Sequence, residues 1–412
     1  MNYFIKNIKV NKLLHLQDLN IPIANEQTPH LILTGKNGTG KTILLNAIAD
    51  FLETVRTDKG LEFLKIENYI ENSRRFVKNA TTDAERLNQQ NNLQYWEDRY
   101  AKIFSAVNIE FNDIYNIAKL IQDDDFIFAF YIANRKPQML EPKNPTKPNL
   151  QQKHKVSETA TNQFLFFLSD LKIQEALARN EKQTVDADNI NQWFVEFEKL
   201  LKDIYQDEHL KLVFNYKDYS FLIHTKEKSF KFTQMSDGFS AALDIIADLI
   251  MKMQSDKSLT RSYQKRGIVL IDEIETHLHL ELQRIIMPLL SRIFPNIQFI
   301  VTTHSPFVLS SMPNAIAYDL EHREIIDELT EYSYESLAEG YFGVKTDSSY
   351  MEMRLNELQS LLGKSDLENG DAAKIRQLVA DFNNIPEAVS PLIKGVFNQL
   401  LITYSEKIKS LE

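Results

Sequence analysis

The sequence predicts an α/β fold: a mixed sheet with flanking helices, helical insertions and a mainly helical C-terminal region. Three observations carry this. The apolar run "HLILTG" (30–35) stops at a glycine and leads into a helical pattern from Gly40. Two further runs, "GIVLIDE" (267–273) and "IQFIVTTHS" (297–305), are apolar without alternation, as strands covered on both faces are, and each ends in polar residues. Between these two, residues 278–293 have helical spacing, and strands joined through helices build a largely parallel sheet.

The remaining elements follow in order. "YFIKNIKV" and "LQDLNIPI" read as short strands ahead of "HLILTG". In "GKTILLNAIADFLET" (40–54), Ile43, Leu44, Ala47, Ile48 and Leu52 share one helical face. Residues 59–104 are polar and mostly helical, with Tyr69, Phe76, Leu87, Leu93, Tyr95 and Tyr100 expected to pack against the main body. "AVNIEF" and "FIFAFYIANR" read as strands. The segment 136–155 holds four prolines and many lysines and reads as a mobile loop. A helical stretch (158–206), a hairpin-like series ("KLVFNY", "SFLIHT", "SFKFTQM") and an apolar helix (238–254) come next. The domain reading is a head over 1–320, with helical insertions at about 56–105 and 136–210, and a mainly helical region over 321–412 for assembly or partner docking.

Composition narrows the class. The 412 residues are 43% hydrophobic and 25% charged, ordinary for a soluble globular chain. No apolar run approaches the roughly 18 residues of a membrane-spanning helix. The start, "MNYFIKNIKVNK", lacks the basic region and apolar block of a secretory signal. The absence of cysteine removes disulfides, cysteine-based zinc sites and thiol catalysis, and suits a cytoplasmic protein. A net charge of −10 argues against a chain that coats DNA over its whole surface, so DNA contact would come from a local patch or through a partner.

"GKNGTGKT", comprising Gly35, Lys36, Asn37, Gly38, Thr39, Gly40, Lys41 and Thr42, matches G-x-x-x-x-G-K-[ST] throughout. Glycines let backbone N–H groups turn inward around phosphate, and the following helix offers its N-terminal amides and dipole. Lys41 would reach the β- and γ-phosphates of ATP, and Thr42 would give its hydroxyl to Mg²⁺.

Such a loop needs a carboxylate at the end of a buried strand. In "GIVLIDE", Asp272 is assigned to the metal and Glu273 to orienting the attacking water. In "TQMSDGFSAALDIIADLIMKM", Ser236 and Gly238 stand at a helix start, where they could bind an anion or serve as an ordinary N-cap; both readings use the same geometry. His304 ends a strand at the edge where ligands bind in open α/β sheets. His277 and His279 are two apart, about 200° around a helix, so they would not share a metal there.

In this order the loop, "MSDG", "LIDEIETHLH" and "TTHSP" resemble the ABC-type ATPase head, and within it the SMC/RecF and OLD (overcoming lysogenization defect) branch. The resemblance covers about residues 1–55 and 211–320, with "FYIANR" around Arg135. It implies that Ser236 and Gly238 meet the γ-phosphate of an ATP held by another subunit, so that ATP joins two heads. It further implies that Glu273 is the catalytic carboxylate, His304 the γ-phosphate switch, and "ETHLH" a loop crossing between heads. Glu275 and His277 would face the second subunit; His279 and Glu281 would fall in the next helix. The chain departs from the branch at Phe239, where a polar residue is common, and at Leu280, where "HLHP" is usual. Gln138 is the candidate Q-loop residue. These departures bear on turnover rate, and slow hydrolysis is compatible with them.

Within that branch the chain resembles ATPase subunits of anti-phage defence systems, Septu-like first (HNH-nuclease partner) and PARIS-like second (Toprim-nuclease partner). The resemblance implies a homo-oligomer, a separately encoded nuclease, and DNA reached through the complex, without a membrane. Residues 321–412 show no acidic set of the Toprim kind, so no nuclease is expected here. The alternative is a RecF/SMC-like repair ATPase that binds DNA directly; the acidic charge and the lack of a coiled coil weigh against it. A transporter's nucleotide-binding subunit and an ATP-bound scaffold that scarcely hydrolyses are further readings. In the tail, Met351, Leu355, Leu358 and Leu362, then Leu367, Ile375, Leu378, Val379 and Phe382, then Val389, Leu392, Val396, Phe397, Leu400 and Leu401 have helical spacing. They suit equally a cap on the ATPase core and a docking module.

Overall fold

The structure, a computed structural model, describes residues 4–23, 29–135, 139–144, 146–148, 155–254, 265–326, 334, 336–337, 349–364, 367–368, 370–384 and 391–410. Gln138, Val389 and much of the proline- and lysine-rich segment lie outside these. The chain divides into two compact units, Met1–Tyr334 and Glu335–Glu412.

A six-stranded sheet organises the first unit, in the order β12-β11-β3-β10-β9-β5. Its strands are β3 (His30–Thr34), β5 (Phe126–Tyr131), β9 (Arg266–Ile271), β10 (Ile297–Thr302), β11 (Ala315–Asp319) and β12 (Glu324–Ile326). The first five run parallel and β12 runs antiparallel to β11, so the sheet is mixed. Ile268, Val269, Leu270 and Ile271 of β9 are wholly buried, each such side chain contributing about 1.5–3 kcal/mol of transfer free energy. The register sets Thr302 beside Leu33 and Val301 beside Ile271. The carboxyl ends of β3, β9 and β10 therefore lie side by side, and the residues that follow each strand share one edge.

Helix α1 (Lys41–Thr57) lies between this sheet and a three-stranded antiparallel sheet of β1 (Ile5–Leu13), β2 (Leu16–Pro22) and β4 (Val107–Phe111), touching β4 on one side and β5, β9 and β10 on the other. That placement widens its buried face beyond the expected stripe. Leu44, Leu45, Ile48, Ala49, Phe51, Leu52 and Val55 are buried, whereas Ile43 is 38% exposed and Ala47 half-buried.

Three departures from the sequence reading have physical causes. Helices α2 (Ile66–Asn79) and α3 (Asp83–Phe104) pack chiefly on each other, so Phe76, Leu87 and Tyr95 are exposed, while Leu93, Trp96, Tyr100, Ile103 and Phe104 reach the core. Helix α4 (Ile114–Gln122), capped by Asp113, fills a stretch with no assignment from sequence. The hairpin β11–β12 begins in a stretch with no assignment from sequence and ends in the region read as mainly helical: its strands are short, and pairing of Ala315–Asp319 along His30–Thr34 decides them.

The rest of the unit presents helix α7 (Asp237–Met253), which is buried nearly all round. Helices α5 (Phe164–Asn180) and α6 (Thr184–Tyr205) pack together, with Trp193 stacked on Phe197, beside the antiparallel meander β6 (Lys211–Asn215), β7 (Ser220–His224) and β8 (Ser229–Lys231). Helices α8 (Leu280–Ile293) and α9 (Pro306–Leu309) follow β9 and β10. Among the described residues no helix is long and apolar enough to cross a membrane.

The second unit contains the helices Ser349–Gly363, Asp371–Asn383, Pro391–Thr403 and Ser405–Lys409. Their apolar faces close on one another through Leu355, Leu358, Leu362, Ile375, Leu378, Phe382, Ile393, Phe397 and Leu400. Val396 is exposed, and Ile393 takes the inward position instead. Phe397 is wholly buried against Phe382. Phe397→Ala is expected to cost this unit about 3–5 kcal/mol. Hydrogen exchange should rise across residues 351–408 and stay unchanged at 268–271; equal protection in both variants would show that the cluster carries no such weight.

Candidate active site

The phosphate loop leaves β3 at Gly35 and enters α1 at Gly40. Gly38 and Gly40 have φ of 85° and 96°, the left-handed region that side chains disfavour. No acidic residue occupies the first turn of α1, so the helix itself supplies no negative charge at its positive end. Lys41 is buried, and its ammonium donates to the carbonyls of Gly35 (2.7 Å) and Lys36 (3.1 Å). Burial lowers its pKa to about 8, against the pull of Glu273, Glu275, Asp272 and Asp319. Lys36 and Asn37 are exposed, and Lys36 pairs with Glu321 at 2.8 Å on the β11–β12 turn. Thr39 is half-buried.

The end of β9 meets this loop. Asp272 is 2% exposed, and its Oδ1 accepts the hydroxyls of Thr42 (3.2 Å) and Thr302 (2.7 Å). The Thr302 hydroxyl in turn accepts the Glu273 N–H at 2.7 Å. Thr302 thus ties the two carboxylate residues to β10, a role the sequence reading did not assign; a hydroxyl ending a buried apolar strand was the available signal. Glu273 has φ 43°, a strained turn for a side-chain-bearing residue. Buried Arg135 offsets this by donating to the carbonyls of Asp272 (2.9 Å), Glu273 (3.2 Å) and Ile274 (3.4 Å). Arg135, read from sequence only as part of a resemblance, is the clamp on this turn.

His304 follows β10 and is half-buried. Burial, then the Lys41 charge, lowers its pKa, with Glu273 and Asp272 acting the other way. Lys41, Asp272, Glu273 and His304 therefore share one electrostatic neighbourhood. Glu275 differs from its expected orientation toward a second subunit. Its carboxylate turns inward onto the Thr303 hydroxyl (2.8 Å) and the His304 N–H (2.6 Å). His277 is exposed at φ 68°, and His279 is the N-cap of α8 rather than part of it. Leu280 occupies the first helical position, where the proline usual in the branch is also well accommodated.

Ser236 is the N-cap residue of α7, but its side chain makes no capping hydrogen bond and is exposed. Gly238 is buried against the turn after β9: a Cβ there would lie 2.8 Å from the His277 carbonyl oxygen and 3.2 Å from the His279 ring. The departure at Phe239 has a packing cause, since its ring stacks on Tyr205 at 4.1 Å and meets His279 edge-on.

Hard oxygen donors at Thr42 and Asp272 converge on one point beside the phosphate loop, a donor set that suits Mg²⁺. Among the described residues no group of three or more histidine, aspartate and glutamate side chains is placed to hold a metal by itself.

The profile of the family described as "AAA domain, putative AbiEii toxin, Type IV TA system" matches residues 31–310. The chain belongs to this AAA-domain family. Relatives match over shorter segments. The "Retron Vc95 probable ATPase" of Vibrio cholerae serotype O1 biovar El Tor is 37% identical over 105 residues, 25% of this chain and 19% of that one. The "Septu protein PtuA" of Bacillus mycoides (strain KBAB4) is 39% identical over 95 residues, 23% of this chain and 13% of that one. The chain thus spans under a fifth of the length of these relatives, which include the Septu type that its motifs resemble. A solved Smc head bound to the C-terminal winged helix domain of ScpA aligns over 80% of this AAA-family chain and all of that one, at 12% identity and a TM-score of 0.39. The fold assignment rests instead on strand order and register.

Two outcomes test this geometry. Phosphate favours charged Lys41, whose pKa in the free protein is about 8. Binding raises that pKa, so ATP affinity should fall as pH climbs above about 8, by up to about tenfold per unit. Fluorescent-nucleotide titrations that stay flat from about pH 7 to about pH 9.5 would show that burial does not bring loss of the Lys41 proton into that range. Gly238→Ala would press a methyl on backbone that cannot turn aside, and should cost about 1–3 kcal/mol. Thermal melting checks it, and an unchanged midpoint would show that the turn yields.

Proposed function

We propose that this chain is the ATP-binding and ATP-hydrolysing subunit of a bacterial anti-phage defence complex. Its heads pair around ATP and control a separately encoded nuclease of HNH or Toprim type. The observation that carries the ATPase reading is the contact of Thr42 with Asp272 at 3.2 Å, with Glu273 the next residue.

The loop amides and the Lys41 ammonium bind and orient the phosphates. Thr42 and Asp272 would hold Mg²⁺, which supplies neutralisation of charge on the β- and γ-phosphate oxygens. Glu273 takes a proton from water as the water oxygen bonds to the γ-phosphorus and the bond to the bridging oxygen breaks, giving ADP and phosphate. His304, on the segment after β10, faces the γ-phosphate. Ser236, with its hydroxyl uncommitted to capping, and Gly238, in the first turn of α7, meet ATP held by another head. The retron and Septu names of the relatives support the defence setting. In it the protein acts in the cytoplasm and reaches DNA through the complex.

Glu273→Gln should lower turnover by about 10²- to 10⁴-fold while leaving the ATP dissociation constant within a few-fold. Mass measurement of this variant should show head pairing with ATP and none without. Unchanged turnover would remove Glu273 as base, and a mass indifferent to ATP would remove pairing. Salt-sensitive DNA binding by the chain alone would favour the RecF/SMC-like repair reading.

A further inference from the structure

The turn after β9 and the segment after β10 carry Glu273 and His304, and they are bound to each other at successive points. The Glu273 N–H donates to the Thr302 hydroxyl (2.7 Å) and the Ile274 N–H to the Thr302 carbonyl (3.1 Å). The series ends at Glu275. Its Oε1 accepts the His304 N–H at 2.6 Å and its Oε2 accepts the Thr303 hydroxyl at 2.8 Å. That hydroxyl accepts the Ser305 N–H at 3.0 Å, and the Ser305 hydroxyl donates to Gln283 on α8 at 2.6 Å.

Both Glu275 oxygens are thus committed to donors from the segment that holds His304. A carboxylate used in this way is not a free acid or base. It fixes backbone, and charge-assisted hydrogen bonds to main-chain N–H groups are the stronger kind. The Leu278 N–H donates to the Glu275 carbonyl at 2.9 Å, closing a turn that contains His277, against whose carbonyl Gly238 packs. Glu275 therefore stands between the start of α7 and the imidazole of His304.

We propose that Glu275 is a positioning residue for ATP hydrolysis: it holds the main chain at Thr303 and His304, and so sets the His304 imidazole relative to Glu273 and Lys41. This rests on the ATPase reading above for its effect on turnover, but not for its effect on the ring. A residue that fixes His304 has three consequences. Its loss should lower kcat more than it changes KM. An amide should replace it, because Gln keeps an oxygen for the His304 N–H and the Thr303 hydroxyl can accept from its N–H₂. Its loss should add nothing once His304 is gone.

The experiment compares Glu275→Ala, Glu275→Gln, Thr303→Val, His304→Ala and the Glu275→Ala/His304→Ala double variant in the full chain. Glu275→Ala should lower kcat about tenfold or more, the scale of a displaced catalytic group, with KM and nucleotide affinity within a few-fold. Glu275→Gln should stay near wild type, and the double variant should match His304→Ala. Wild-type kcat in Glu275→Ala, a Gln variant as slow as the Ala variant, or additive losses would each overturn the proposal. If Glu275→Ala loses nucleotide binding through misfolding, Thr303→Val decides: lowered kcat with intact binding supports the proposal, and wild-type kcat overturns it. Spectra of ¹⁵N-histidine-labelled protein read the ring independently of turnover. The His304 signal, assigned by its absence in His304→Ala, should move in Glu275→Ala and hold in Glu275→Gln. An unmoved signal overturns the proposal even in a chain that hydrolyses ATP. A moved signal in a chain without turnover keeps the positioning and sinks the ATPase reading.

Discussion

The rest of the site depends on one buried carboxylate. Asp272 is almost without solvent, and a charge in that position is tolerated only when its oxygens are hydrogen-bonded. Two hydroxyls meet its Oδ1, one from the first turn of α1 and one from the end of β10. Because those hydroxyls come from separate elements, satisfying the carboxylate also fixes the phosphate loop, the end of β9 and the end of β10 relative to one another. The parallel register makes this possible by bringing the three strand ends to the same edge.

The strain in this arrangement is distributed. Glu273 and His277 both adopt left-handed backbone within a few residues, and neither is glycine. Arg135 clamps the first turn from the end of β5, Thr302 and Glu275 tie it to β10, and Gly238 lets α7 close on the second. Helix α7 is linked back to β5 inside the core, where the Tyr131 hydroxyl donates to Asp248 at 2.6 Å and Lys252 pairs with the same carboxylate at 2.7 Å. Helix α7 thus meets the turns after β9 at Gly238 and is anchored to β5 through Asp248 and Tyr131.

The second unit draws on different physics. Many of its apolar residues close on a core of their own, which accounts for much of the regular spacing that suited equally a cap and a docking module. Periodicity reports that a face is buried, and two arrangements that bury the same face have the same period. The same limit applies to α1, where a one-sided stripe was legible but the second layer that buries Leu45, Ala49 and Phe51 was not.

From sequence alone, the strand–loop–helix at 30–54, the apolar strands leading toward Asp272 and His304, and the order of the motifs were determined, because each is written in local residue types and spacings; the structure ends the second strand at Thr302. Tertiary structure decided what depends on partners distant in the chain. It made strands of Ala315–Asp319 and Glu324–Ile326, since short segments at a sheet edge are settled by the strand they pair with. It turned Glu275 inward rather than toward another subunit, and gave Thr302 and Arg135 their places at the carboxylates. A hydroxyl or guanidinium carries no local sign of which carbonyl or carboxylate it will meet, and only the register of β3, β9, β10 and β5 brings those groups within reach.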